Sequence, residues 1–157
     1  MSDAPGGSYT LVVDLASDAS LSVGALGDRD FPAGAYAYTG SALGTGGFSR
    51  VDRHLRTARG DHDVRHWHVD YLLGHSDARI DRVVRSGGVD VECAVAERLP
   101  AGPVAGFGAS DCDCPSHLAA GDDLDELAAR ARAAHEAAVA ASDAPDATVE
   151  VVAGAEE

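Results

Sequence analysis

Apolar and polar positions along the chain follow two periods, and each change of period marks an element. Tyr9-Thr-Leu-Val-Val-Asp-Leu15 is rich in β-branched and large apolar residues and reads as a strand. Leu21-Ser-Val-Gly-Ala-Leu26 reads as a second, joined to the first as a hairpin through the turn formers Ser17 to Ser20. From Gly34 to Ser41 the period is two: Gly34, Tyr36, Tyr38 and Gly40 fall on one face, and Ala35, Ala37 and Thr39 on the other. This third strand follows a loop with Asp28, Asp30 and Pro32 and completes a small antiparallel sheet. Gly44, Gly46 and Gly47 then make a turn, with Thr45 as a candidate N-cap. Beyond it the period becomes helical. Phe48, Val51, Leu55 and Ala58 gather on one side to pack across the sheet, and Arg50 and His54, four residues apart, run along the edge of that stripe. Arg53, Arg56 and Arg59 point elsewhere, towards water or a polyanion.

His66-Trp-His-Val-Asp-Tyr-Leu-Leu73 fits either period: as a strand it puts His66, His68 and Asp70 on one face, as a helix it pairs His66 with Asp70. Ala78 to Val84 reads as a strand that Ser86-Gly-Gly88 ends. Asp90 to Leu99 reads as a helix capped by Asp90, stopped by Pro100 and apolar at Val91, Ala94, Val95 and Leu99, with Glu92 at the edge of the apolar face. Residues 101–118 form a glycine-punctuated loop, and Asp122 to about Ala141 an alanine-rich helix with Asp122, Asp123 and Asp125 at its positive end. Its stripe of Leu124, Leu127, Ala131 and Ala138 reads as packing. The elements predict one α/β (α+β) domain over residues 1–141, a small mixed or antiparallel sheet flanked by helices. Residues 142–157 read as an acidic, disordered tail in which Ala147–Ala153 offers an edge strand.

Charge changes this reading in one respect. There are 26 acidic residues against 12 basic ones, a net charge of −14, and every basic residue is arginine. An acidic, aspartate-rich, lysine-free composition resembles that of cytosolic proteins of salt-loving archaea, where at about 1 M salt the Debye length of roughly 3 Å screens self-repulsion. Such a balance argues against a nucleic-acid partner, except that residues 50–66 carry a local excess of two positive charges. The basic helix is therefore where a polyanion would dock. No apolar run is long enough to cross a membrane, and Cys93, Cys112 and Cys114 are too few for a disulfide framework, so a soluble, cytoplasmic protein is expected.

With these residues in hand, the sequence resembles the GIY-YIG endonuclease superfamily, in particular the archaeal Uri-type branch that is sometimes fused to endonuclease III. Gly7-Ser8-Tyr9 stands where that family has Gly-Ile-Tyr, Tyr38-Thr39-Gly40 where it has Tyr-Ile-Gly, Arg50-x-x-x-His54 matches the following helix, and Val91-Glu92-Cys93 matches the helix with the metal-binding glutamate. Ser8 departs from the usual apolar residue, and the stretch from Tyr9 to Tyr38 is longer than the family's hairpin. Gly34-Ala35-Tyr36 is rejected as the first motif because it shares a strand with the second. The resemblance implies a DNA endonuclease of repair or recombination that hydrolyses phosphodiester bonds with one Mg²⁺ or Mn²⁺ on Glu92. It implies catalytic roles for Tyr9, Tyr38, Arg50 and His54 with His68 as an auxiliary, and DNA contacts from Gly40, Ser41, Arg53, Arg56 and Arg59. DNA is the expected partner, with a repair protein such as endonuclease III as a further one.

Asp111-Cys-Asp-Cys-Pro-Ser-His117 is similar to a signature of the same branch. Its Cys112, Cys114 and His117, with His68, form a candidate zinc set, although Cys-x-Cys is tighter than the common zinc spacing and buried thiols are the plainer alternative. Two rival functions accompany the nuclease: a non-catalytic nucleic-acid-binding module, and a zinc-dependent hydrolase built on His66, His68, Cys112, Cys114 and His117.

Overall fold

The computed structural model describes residues 7–22, 28–41, 78–87, 91–99, 118–121, 123–142 and 149–153. Seven strands and two helices lie within them: β1 (Gly7–Leu15), β2 (Ala19–Ser22), β3 (Asp28–Phe31), β4 (Gly34–Ser41), β5 (Ala78–Gly87), α1 (Glu92–Glu97), β6 (Leu118–Gly121), α2 (Leu124–Ala140) and β7 (Val149–Ala153). The main sheet has the order β6-β4-β1-β5-β7, and each neighbouring pair is antiparallel. The expected α+β class thus takes its antiparallel form.

β1 is the central strand, and its sequence explains why. Eight of its nine residues are buried, as in a strand covered on both faces. Tyr9, Leu11, Val13 and Leu15 fill one side, and Ser8, Thr10 and Val12 the other. On the Val12 side, α1 and α2 form one apolar core with the sheet: Val91, Val95 and Leu99 from the α1 region and Leu127, Ala128, Ala131, Ala134, Ala138 and Val139 from α2, against Val12, Ala35, Ala37, Val84 and Ala119. Alanines dominate that face of α2, so the helix axis approaches the sheet closely and a larger side chain at Ala131 or Ala134 would overpack it. Burying Leu127 alone contributes roughly 1.5–3 kcal/mol.

α2 starts at Asp123, whose carboxylate accepts the amides of Asp125 and Glu126 at 2.9 and 3.2 Å. Asp125 and Glu126 lie in the first turn, where the helix dipole favours negative charge. Asp125 also receives Arg82 at 2.7 Å, which ties the start of α2 to β5. A bulge makes this possible: Val12 pairs with Arg82 but Val13 with Ile80, leaving Asp81 without a β1 partner and free of the ladder. Its carboxylate pairs with Arg82 at 2.6 Å and with Arg79 at 3.6 Å, and Arg79 reaches Asp14 at 3.2 Å.

Four expectations change. β1 does not form a hairpin with the next strand; β2 pairs with β3 in a separate two-stranded ribbon, while β1 pairs with β4 and β5. Asp18 holds the ribbon to the β3–β4 turn by accepting the Ala33 amide at 2.8 Å, and within the ribbon Ser20 donates to its register partner Asp30 at 2.8 Å. The N-cap of α1 is Val91 rather than Asp90, and the Val91 amide donates to the Ser8 hydroxyl. Leu118, the last residue of the expected loop, and residues 119–121, assigned to no element, form the edge strand β6 (Leu118–Gly121). The disordered-tail expectation fails over residues 149–153, which form β7 on the opposite edge, inside the stretch singled out as a candidate strand.

Candidate functional site

The site is built around the first residues of β1, and each of Gly7, Ser8 and Tyr9 has a separate geometric reason to be there. A Cβ at Gly7 would lie 2.0 Å from the Ser86 carbonyl oxygen, so only glycine lets β1 and β5 come this close. Ser8 turns to the helical side, fully buried, and its hydroxyl accepts the Val91 amide at 2.8 Å. Val91 is the N-cap of α1 and Glu92 its first helical residue. Tyr9 turns to the opposite face and is 1 % exposed.

Opposite Tyr9 across the β1–β4 ladder stands Gly40. A Cβ there would meet the Tyr9 hydroxyl oxygen at 2.7 Å, its Cζ at 2.8 Å and Tyr38 Cε2 at 3.2 Å. The Tyr9 hydroxyl end therefore rests on the Gly40 backbone, in a place that a side chain would fill. Tyr38, paired with Leu11 and so the diagonal neighbour of Tyr9, has its ring 6.5 Å from that of Tyr9 at an interplanar angle of 53°, a tilted aromatic pair. Ser41 closes β4 opposite Ser8. Across the other ladder, Arg85 of β5 is the register partner of Tyr9.

Tyr36, two residues before Tyr38 on the same face, does different work. Its hydroxyl donates to the Pro32 carbonyl, and its ring meets Phe31 edge-on at 6.1 Å. Burial, with the Asp18 carboxylate adding to it, pushes its pKa up to about 12. It is a clamp on the β3–β4 turn, in agreement with rejecting Gly34-Ala35-Tyr36 as the first motif.

A second polar group lies on the helical side. His135 of α2 is fully buried and shares hydrogen bonds with Thr10 through Nε2 at 2.8 Å and with Ser86 through Nδ1 at 2.6 Å; Thr10 in turn meets Thr39 at 2.9 Å. Desolvation lowers the His135 pKa to about 4, so the ring is neutral at pH 7, with one nitrogen donating and the other accepting. A serine beside a histidine has the makings of a nucleophile and base, but Ser86, Thr10 and His135 are all 0 % exposed. The group pins α2 to β1, β4 and β5.

The structure thus brings Tyr9, Tyr38 and Gly40 together, with Ser41 next to them and the start of the Glu92 helix tied to the residue before Tyr9. Arg50, Arg53, His54, Arg56, Arg59, His68, Cys112, Cys114 and His117 lie outside the described residues, as do the basic helix and the His66–Leu73 stretch. Among the described residues, no three His, Cys, Asp or Glu side chains gather in a metal-binding group. No described helix is long and apolar enough to cross a membrane. Arg85 and His135 escaped the sequence reading. The second had a signal, since it follows Ala131 by four and precedes Ala138 by three on the packing stripe; the first needed the strand register.

A five-stranded antiparallel sheet backed by helices, with a tyrosine pair over a glycine beside the head of its central strand, defines a small α+β domain. The chain belongs to the family described as Domain of unknown function DUF123, which it matches over residues 8–140. No curated protein and no solved structure matches it.

Proposed function

We propose that this protein is a divalent-metal-dependent DNA endonuclease of the GIY-YIG kind, acting in DNA repair or recombination. The observation that carries the reading is the seating of the Tyr9 hydroxyl on Gly40 beside Tyr38, which joins the two halves of the tyrosine motif across one ladder. The Ser8–Val91 hydrogen bond supports it, because it fixes the start of the glutamate-bearing helix to the residue next to Tyr9.

A carboxylate is a hard oxygen donor of the kind Mg²⁺ or Mn²⁺ accepts, and Glu92 would hold the ion. Bound there, it would supply Lewis-acid stabilisation of phosphate oxygens. Tyr9 orients the attacking water through its hydroxyl, and Tyr38 fixes the Tyr9 ring. A tyrosine with an ordinary pKa near 10 is a weak base, so Arg50 and His54 of the basic stretch are assigned to neutralise the growing charge and assist proton transfer. Arg53, Arg56 and Arg59 are assigned to the DNA backbone, Gly40 and Ser41 to the rim of the site.

A nicking assay on supercoiled plasmid and on branched duplexes, in high KCl with Mg²⁺ or Mn²⁺, tests this beside Glu92→Ala. Metal-dependent nicking that the variant loses, with its fold retained, is the expected result; nicking by the variant at the wild-type rate would overturn the reading. The burial of Tyr9 at 1 % exposure favours one rival, a non-catalytic nucleic-acid-binding module. That module would bind DNA in a salt-dependent manner and nick nothing with either metal.

A further inference from the structure

Gly40, Tyr9 and Arg85 are successive register partners across β4, β1 and β5, and Glu150 of β7 continues the row. Partners in antiparallel ladders project to the same face, so all four belong to the tyrosine side of the sheet. The other two arginines of β5 do not. Arg82 is opposite Val12 and reaches Asp81 and Asp125, and Arg79 is opposite Asp14 and pairs with it. On the tyrosine row, Arg85 Nη2 donates to Glu150 Oε1 at 2.7 Å.

We propose that Arg85 is a phosphate-binding residue of the tyrosine site and that Glu150 is its resting partner, a carboxylate that a DNA phosphate displaces. This rests on the nuclease reading of the same site. Two features make the exchange feasible. The pair is partly open to solvent, with side-chain exposures of 29 % for Arg85 and 52 % for Glu150, and ion pairs this exposed are weak and weaken further in salt. A guanidinium fork also binds phosphate as readily as carboxylate, through two parallel N–H donors. In a chain of net charge −14, a cation already paired with one carboxylate of its own sheet is less available to the other acids. Glu150 sits on an edge strand, where its withdrawal breaks no second ladder.

The test is fluorescence anisotropy of a fluorescein-labelled branched duplex without divalent metal, over a KCl series, for the wild type, Arg85→Gln, Glu150→Gln and the double variant. Removing the competing carboxylate in Glu150→Gln tightens binding about 2- to 5-fold. Arg85→Gln weakens it roughly 5- to 10-fold and makes the salt slope shallower by about one. In the double variant the Glu150→Gln gain disappears. Wild-type affinity and slope in Arg85→Gln overturn the assignment, and so does an unchanged affinity in Glu150→Gln, which decides alone if circular dichroism shows Arg85→Gln unfolded. If Glu92→Ala abolishes nicking while Arg85→Gln binds and nicks like the wild type, the nuclease reading stands and the role of Arg85 falls; a wild type that neither binds nor nicks removes both.

Discussion

The Ser8 hydroxyl accepts the Val91 amide at 2.8 Å, a bond between a helix-facing residue of the central strand and the cap of the helix that Glu92 opens. Ser8 is the point at which the sequence departs from the apolar residue of the motif it resembles, and here the serine has a structural use. Ser8→Ala leaves the buried Val91 N–H without this acceptor, at a cost of about 1–3 kcal/mol. The melting temperature is expected to fall by roughly 2–4 °C per kcal/mol, read by thermal denaturation. Nicking should fall with it even at temperatures where the variant is fully folded, because the start of α1 loses its anchor.

Gly40→Ala puts a methyl group where the Tyr9 hydroxyl rests. Either the Tyr9 ring shifts or the β1–β4 ladder opens, and overpacking of this kind costs typically 1–3 kcal/mol. The expected outcome is a changed near-ultraviolet circular dichroism signal from the tyrosines together with loss of nicking. An unaltered spectrum with full activity would mean that the contact does not position Tyr9.

Three tyrosines share one face but not one role. Tyr36→Phe loses only the hydroxyl bond to the Pro32 carbonyl, about 1 kcal/mol of stability, and should nick at the wild-type rate. Tyr9→Phe and Tyr38→Phe should keep most of the stability and lose nicking. Comparing the melting temperatures and rates of the three variants separates the clamp from the site.

His135 makes stability depend on pH in a defined window. Its pKa falls from 6.5 to about 4 on folding, so the unfolded chain binds the proton first as the solution is acidified. The contribution is complete above pH 6.5 and is lost as pH falls towards 4, up to about 3 kcal/mol. Urea denaturation at a series of pH values checks this. His135→Leu should be less stable at pH 7, since Ser86 and Thr10 each lose a hydrogen bond while Thr10 keeps Thr39, and flatter than the wild type between pH 6.5 and 4.

Much of this was legible in the residues themselves. The strands at 9–15, 34–41 and 78–84 and the helices read over 90–99 and 122–141 showed because period is a local signal, and Tyr9, Tyr38 and Gly40, singled out by motif, lie together in the structure. Pairing is not local. Leu21–Leu26 was the nearest apolar run to β1 and looked like its partner, yet β1 takes β4 and β5, while residues 19–22 turn to 28–31. Leu118-Ala-Ala-Gly121 has little β propensity and becomes a strand only because β4 offers an edge. The row that joins Tyr9 to Arg85 and Glu150 depends on register over both β1–β5 and β5–β7, including a bulge after Val12 that no spacing announces.

The bonds of β1 also set an order of assembly. Its partners lie far along the chain: Tyr38 and Gly40 about thirty residues on, Arg85 beyond seventy, and Thr10 meets His135 across a separation of 125 residues. During synthesis the central strand precedes both its partners and the helices that cover it: one edge waits for residues 78–87, and the helical face waits for α1 and α2. Nascent chains shorter than that are the species most in need of a chaperone. A correctly seated Tyr9 is then a report that distant parts of the polypeptide have already come home.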